Sequence, residues 1–370
     1  MSTSPARTLA IGFFALAAST LPLSACDGSR SADNQPTQET QPEKPLYEIS
    51  EDPAWTAPTA GKRYCHRYIN GTVIDAGSSD LTLRDAVTGK TKWAYKKATS
   101  CPLVTKESVY AGTAAEGEIV AFDPLTGKQD ASSETDAIGN PGGGAPVETP
   151  GKIHALFGGH LYTMDKSLKQ NMWQYKEKAD MWVEHVAAHG VIIIVATQNG
   201  KVKALSSEDG KVLWAYATPS NGLIKQTIKI ADGSVYFTSE DGSAYALDLA
   251  TGKKIWVTKL GGGPAWAPHL AGDLLITADE STVYGLDRKT GKTRWSHWGD
   301  HNALLASEDL AVYSDTEADQ VTIRNATTGE LITTIYPVPG ANSIAISPTH
   351  LFVWTDTDIY AYKVTKRATA

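Results

Sequence analysis

The chain has 370 residues, of which 41% are hydrophobic and 20% charged, and it carries a formal net charge of −7. That acidic balance argues against a nucleic-acid partner, whose phosphates want a basic face. No helix-period segment stands out beyond the N-terminus, and 32 Gly with 18 Pro point to a turn-rich, all-β domain.

Residues 1–25 hold one cation, Arg7, an apolar run over residues 9–18, and Leu23-Ser24-Ala25 before Cys26. This is a secretory signal layout, too short and too poorly flanked to be a spanning helix. The small residues before Cys26 resemble the lipobox of bacterial lipoproteins. The resemblance implies cleavage before Cys26 and acylation of that residue, palmitate included, so that the chain is held on the extracytoplasmic side of a bacterial cell membrane. Removing residues 1–25 removes only Arg7 and leaves a mature charge nearer −8. Residues 26–52 are polar, Pro-bearing and almost free of large apolar side chains, and read as a disordered tether.

Residues 53–366 are expected to form one domain. Its unit is clearest over residues 234–256: a strand, an Asp241-Gly242 hairpin turn, a second strand, a turn from Asp248 to Gly252, and a third strand carrying Trp256. With the Gly242 position as a ruler, equivalent turns fall at Ser79, Gly117, Gly159, Gly200, Gly242, Ser281, Asp319 and Thr357, at intervals of 38 to 42 residues. Ten places on stand Gly89, Gly127, Lys169, Gly210, Gly252, Gly291 and Gly329. Fourteen places on stand Trp93, Trp173, Trp214, Trp256 and Trp295, with Ala131 and Thr333 as exceptions. Eight such units of about 40 residues predict an eight-bladed β-propeller. The last unit ends before its fourth strand, whereas Trp55 lies one repeat before Trp93. The strand around Trp55 is therefore expected to complete the eighth blade and close the ring.

Cys65 and Cys101 precede their turns by similar distances, which places both on the innermost strands of neighbouring blades. In an exported protein they are expected to pair, with two buried free thiols as the alternative. The second blade lacks its Trp and is followed by the Gly- and Pro-rich stretch 138–146, a loop on the face where each outer strand crosses to the next inner strand. Binding residues collect on such crossings. The candidates there are Trp182, Glu184, Lys225, Gln226, Trp266, His269, Asp300, His301, Asn302 and Asn342. The pairs His185/His189 and His297/His301 would suit a metal on a helix, but strand spacing sets them about 13 Å apart, and no metal site is expected.

The repeats over residues 202–214, 244–256 and 283–295, of the form V-Y-x-L-D-x-x-T-G-K-x-x-W, resemble the PQQ-like (quinoprotein alcohol dehydrogenase-like) β-propeller repeat family. The resemblance spans residues 55–364 and implies that Trp55, Trp93, Trp173, Trp214, Trp256 and Trp295 dock neighbouring blades. Dehydrogenases of the family use a vicinal Cys-Cys disulfide and Ca²⁺ ligands around a quinone. This chain has no Cys-Cys pair, so it resembles the family's non-catalytic bacterial lipoproteins. The expectation is a monomeric scaffold for envelope proteins, with no cofactor and no chemistry. A receptor for an envelope sugar or small ligand, or a quinoprotein-type oxidoreductase, are the alternatives.

Overall fold

The computed structural model describes residues 47–367, apart from short interruptions at 61–64, 78–79, 99, 114–116, 134–143, 178–181, 220–221, 223, 225–226, 264, 300, 302, 308 and 316–317. The described residues form thirty-two strands, numbered in chain order, and no helix. After β1 (Tyr47–Pro58), seven sheets of four consecutive antiparallel strands follow: β2–β5 (65–96), β6–β9 (103–132), β10–β13 (147–175), β14–β17 (183–217), β18–β21 (229–259), β22–β25 (269–298) and β26–β29 (303–335). The eighth sheet takes β30 (Ser343–Ile346), β31 (His350–Trp354) and β32 (Asp358–Lys366), and β1 is its outermost strand. The eight-bladed ring is thus closed by the N-terminal strand, as the Trp55 register predicts.

Closure also moves one predicted boundary. Residues 47–52, expected as the end of the tether, are the first half of β1: Tyr47, Glu48 and Ile49 pair with Lys366, Thr365 and Val364. The sequence hides this because Glu48, Glu51 and Asp52 face solvent, while Tyr47 alone is buried there. Its hydroxyl donates to Asp309, which also pairs with Lys366.

Within a blade the two middle strands carry the core. In the fifth, β19 (Ser234–Ser239) and β20 (Ser243–Asp248) are almost wholly buried, whereas β21 (Lys254–Lys259) alternates and buries Trp256. The turn after β20 is built by its carboxylate: Asp248 Oδ1 accepts from Thr251 N at 2.8 Å and from the Thr251 hydroxyl at 2.6 Å. Asp85, Asp123 and Asp287 do the same in their blades; these bonds hold Asp85 and Asp123 below the usual carboxylate range, and at Asp287 the Arg294 guanidinium, with the Thr290 bonds, does so.

Six of the eight blades then dock on the next through one Trp. Trp256 Nε1 donates to Arg288 O at 2.8 Å, and the same bond joins Trp55 to Ala86, Trp93 to Pro124, Trp173 to Ser207, Trp214 to Leu249 and Trp295 to Ala326. The indole lies flat against a glycine of that same turn: Gly89, Gly127, Gly210, Gly252, Gly291 and Gly329 each face a Trp so closely that a Cβ would fall 2.5–2.8 Å from its ring atoms. Trp and Gly are therefore one device split between blades, and they are missing together. Blade 2 has Ala131 in the Trp place and blade 3 has Lys169 in the Gly place. There Tyr110 substitutes, its hydroxyl donating to the equivalent turn carbonyl, Lys166 O, at 3.1 Å. Cys65 and Cys101 form a disulfide that also ties blade 1 to blade 2, with Cα atoms 5.0 Å apart. Cys65 opens β2 (Cys65–Ile69), but Cys101 lies just before the short β6 (Leu103–Val104).

Candidate functional site

In an antiparallel four-stranded blade, alternate connections emerge at the same edge. The hairpins between second and third strands therefore share one face with the crossings from outer to inner strands. The Thr-Gly turns occupy the opposite face. Of the predicted site residues, Lys225, Gln226, Asp300 and Asn302 lie outside the described residues, as do most of the loop 138–146 and Cys26.

The rest occupy three different settings. Trp182, in the crossing from blade 3 to blade 4, rests on Gly159 yet is 53% exposed. Trp266 and His301 belong to a packed cluster: their rings are 5.5 Å apart, and His301 also meets Tyr313 edge-on at 6.5 Å. His301 is buried, with Nδ1 2.9 Å from Gly299 O, and Trp266 O accepts from Thr238 and Thr277 at 2.9 and 2.8 Å. Asn342 is engaged with Asp356 at 3.0 Å. His269 and Glu184 stand on strands rather than in the crossing loops themselves, at the ends where the crossings enter. They lie on the inner strands β22 (His269–Ala271) and β14 (Val183–His189), Glu184 at a bulge between Val183 and His185.

Two exposed aromatics on the crossing face escape a sequence reading that looks only at the loops. Trp298 ends the outer strand β25 (Thr293–Trp298) and is 79% exposed, and Tyr336 opens the crossing from blade 7 to blade 8 at 71%. The available signal for Trp298 is that the docking place in its strand is already filled by Trp295. Arg67 on β2 and Lys229 on β18 (Lys229–Ala231) are likewise missed. They are half-buried cations on inner strands.

The inner strands contact their neighbours around the ring and enclose a central channel. Burial pushes Arg67 down to about 10 and lowers Lys229. Burial, reinforced by the Lys229 charge, holds His269 at about 3, so its imidazole is neutral at physiological pH. Among the described residues, no three His, Cys, Asp or Glu side chains group as a metal site.

Eight blades, Asp-x-x-Thr-Gly turns and inter-blade Trp docking define an eight-bladed β-propeller, whose repeats are similar to PQQ-like ones. The PQQ_2 family model, described as outer membrane protein assembly factor BamB, matches residues 158–298. The chain is similar to outer membrane protein assembly factor BamB of Bordetella pertussis, at 27% identity over 176 residues, or 47% of this chain and 43% of the relative. It is also similar to a quinoprotein ethanol dehydrogenase of Pseudomonas aeruginosa, at 30% identity over 121 residues, covering 29% of this chain and 19% of that enzyme. In each case the match takes in less than half of the curated relative. Among solved structures, BamB from Moraxella catarrhalis superposes with a TM-score of 0.68 at 16% identity, covering 85% of this chain and all of that one. That likeness is one of fold.

Proposed function

We propose that the protein is a lipid-anchored, extracytoplasmic scaffold that presents its crossing face to another envelope protein and carries out no chemistry. The observation that carries this reading is the direction of β1. It enters the ring at Tyr47, opposite Lys366, and ends at Pro58, opposite Asp358 beside the hairpin between β31 and β32. Tyr47, the first described residue, thus lies on the turn face, the face opposite the crossing loops that carry Trp182, Trp298 and Tyr336. Exposed aromatics on a rigid support suit protein recognition, because they give large contact area with little entropy to lose. Residues 26–46 can reach about 70 Å when extended. The BamB relatives are outer membrane protein assembly factors by name, which supports a partner of that kind.

In-cell crosslinking of the full chain, followed by pull-down and mass spectrometry, is expected to return one reproducible envelope protein. Cys26→Ala is expected to lose that adduct and the membrane fraction together. An adduct that survives Cys26→Ala unchanged would argue against the anchored reading, and an empty pull-down would argue against the scaffold.

A further inference from the structure

The Cys65–Cys101 bridge joins blades 1 and 2 on the crossing face: Cys65 opens β2 at the end where the crossing from blade 8 enters, and Cys101 lies in the crossing that leads to β6. Two seams of the ring lack a docking Trp, blade 2 to blade 3 at Ala131 and blade 7 to blade 8 at Thr333, and a covalent staple would add most there. The bridge stands instead at a seam that is already docked. Trp93 Nε1 donates to Pro124 O at 3.0 Å, its ring lies against Gly127, and Ile74, Leu83 and Phe122 share one core cluster there. The position of the bridge points beyond stapling.

Arg67 supplies the chemistry. It stands two places after Cys65 on β2, on the same side of the strand. Its Nη2 lies 3.2 Å from Cys101 Sγ and donates to Pro102 O at 2.6 Å. Its Nε is buried without a partner, and among the described residues no carboxylate pairs with it. Burial disfavours its charge. A neutral disulfide sulfur gives little back to a desolvated cation, whereas a thiolate in the same place is a full counter-charge. Opening the bridge therefore turns a weak contact into an ion pair, and a disulfide whose reduced form is stabilised is the more readily reduced.

We propose that Cys65–Cys101 is a thiol–disulfide exchange site, opened by a dithiol reductant and held open by a Cys101 thiolate paired with Arg67. Cys101 is half-buried and Cys65 only 8% exposed, so the reductant's thiolate attacks Cys101 Sγ. The S–S bond breaks, and Cys65 leaves with the electron pair and takes up a proton. The reductant's second thiolate then attacks its own sulfur in the mixed disulfide and closes a cyclic disulfide, and Cys101 leaves as the thiolate. The protein gains two electrons and the dithiol loses two; of the dithiol's two protons, one ends on Cys65 and one in solvent. Reduction removes the covalent tie between blades 1 and 2 and leaves the Trp93 dock in place, so the ring stays closed. The site is independent of the partner on the crossing face.

The test is a redox titration of the full chain carrying Cys26→Ala, which leaves Cys65 and Cys101 as its two cysteines. The protein is equilibrated over graded ratios of reduced to oxidised dithiothreitol, trapped with an alkylating agent and counted by mass spectrometry, with circular dichroism to follow the fold. Arg67→Gln is expected to need a ratio about tenfold higher for half-reduction, and Arg67→Lys, which keeps a cation, to stay closer to the parent. A second readout does not depend on the bridge. In Cys65→Ala, Cys101 is expected to alkylate several-fold faster at pH 7 than in the same chain with Arg67→Gln, and its rate to rise at lower pH. An Arg67 that only packs would change the melt and move neither quantity. Equal half-reduction ratios in the parent and Arg67→Gln overturn the proposal; should Arg67→Gln not fold, an ordinary thiol profile for Cys101 in Cys65→Ala overturns it.

Discussion

A chain that begins at Thr59 loses cooperative folding and aggregates. Without β1, the eighth blade keeps three strands and exposes the edge of β32, which then offers unpaired amide and carbonyl groups over Asp358–Lys366. The loss has several parts. The pairing of Trp55 through Pro58 with Ala361 through Asp358 goes, as does the Trp55 dock on Gly89 and the bond from Trp55 to Ala86 O. Tyr47 leaves the cluster it shares with Leu310, Val312 and Val364 between blades 7 and 8. Each hydrogen bond contributes roughly 1 kcal/mol net, and a large buried side chain about 2–3 kcal/mol. Together they reach the ~5–15 kcal/mol that typically holds a domain folded. Size-exclusion chromatography and circular dichroism check this, and a synthetic peptide of residues 45–60 added during refolding is expected to restore the monomer by filling the vacant strand position. A truncated chain that stays monomeric with an unchanged melt would show that β1 is not what closes the ring.

The Trp–Gly dock gives the second large effect. Trp256→Ala empties a nearly buried indole site between blades 5 and 6 and removes the bond to Arg288 O, a loss of about 3–5 kcal/mol. Gly291→Ala acts from the other side of the same contact. Its φ is +71°, and the new Cβ would lie 2.6 Å from the Trp256 ring. Left-handed strain of about 1–2 kcal/mol adds to an overpacking term of about 1–3 kcal/mol. Gly151 is the control: its φ is +76°, but no atom lies within 4 Å of a Cβ there, so Gly151→Ala carries the strain alone. Chemical denaturation of Trp256→Ala, Gly291→Ala and the double variant should show non-additivity, since losing the indole relieves the ring clash while the Thr258 hydroxyl, 2.7 Å from the new Cβ, and the backbone strain still oppose it. Additive losses would mean that ring and glycine are not one contact.

Much of this architecture was legible because it is periodic. The turn positions, the Asp that nucleates each Thr-Gly turn and the outer-strand Trp all repeat at about 40 residues. The glycine's second role was not legible. A glycine ten places after the hairpin reads as a turn residue, and only the ring geometry shows that it must also lack a Cβ to receive the previous blade's Trp. The paired exceptions, Ala131 with Lys169, contain that information, but one sequence cannot say which absence answers which. The candidate site was less legible, because loops carry no period. Trp182 was found from its place in a crossing, whereas Trp266 and His301 occupy equally plausible places and pack inward on Tyr313.

The measurement that bears most directly on the scaffold is site-specific photo-crosslinking in living cells from both faces of the ring. Crosslinking residues at Trp298 and Tyr336 probe the crossing face, and the same residues at the exposed Val87 and Leu125 probe the turn face. The expected result is a discrete envelope-protein adduct from Trp298 and Tyr336 and none of that mass from Val87 or Leu125. An adduct confined to Val87 and Leu125 would place the partner on the turn face and contradict presentation by the crossing loops.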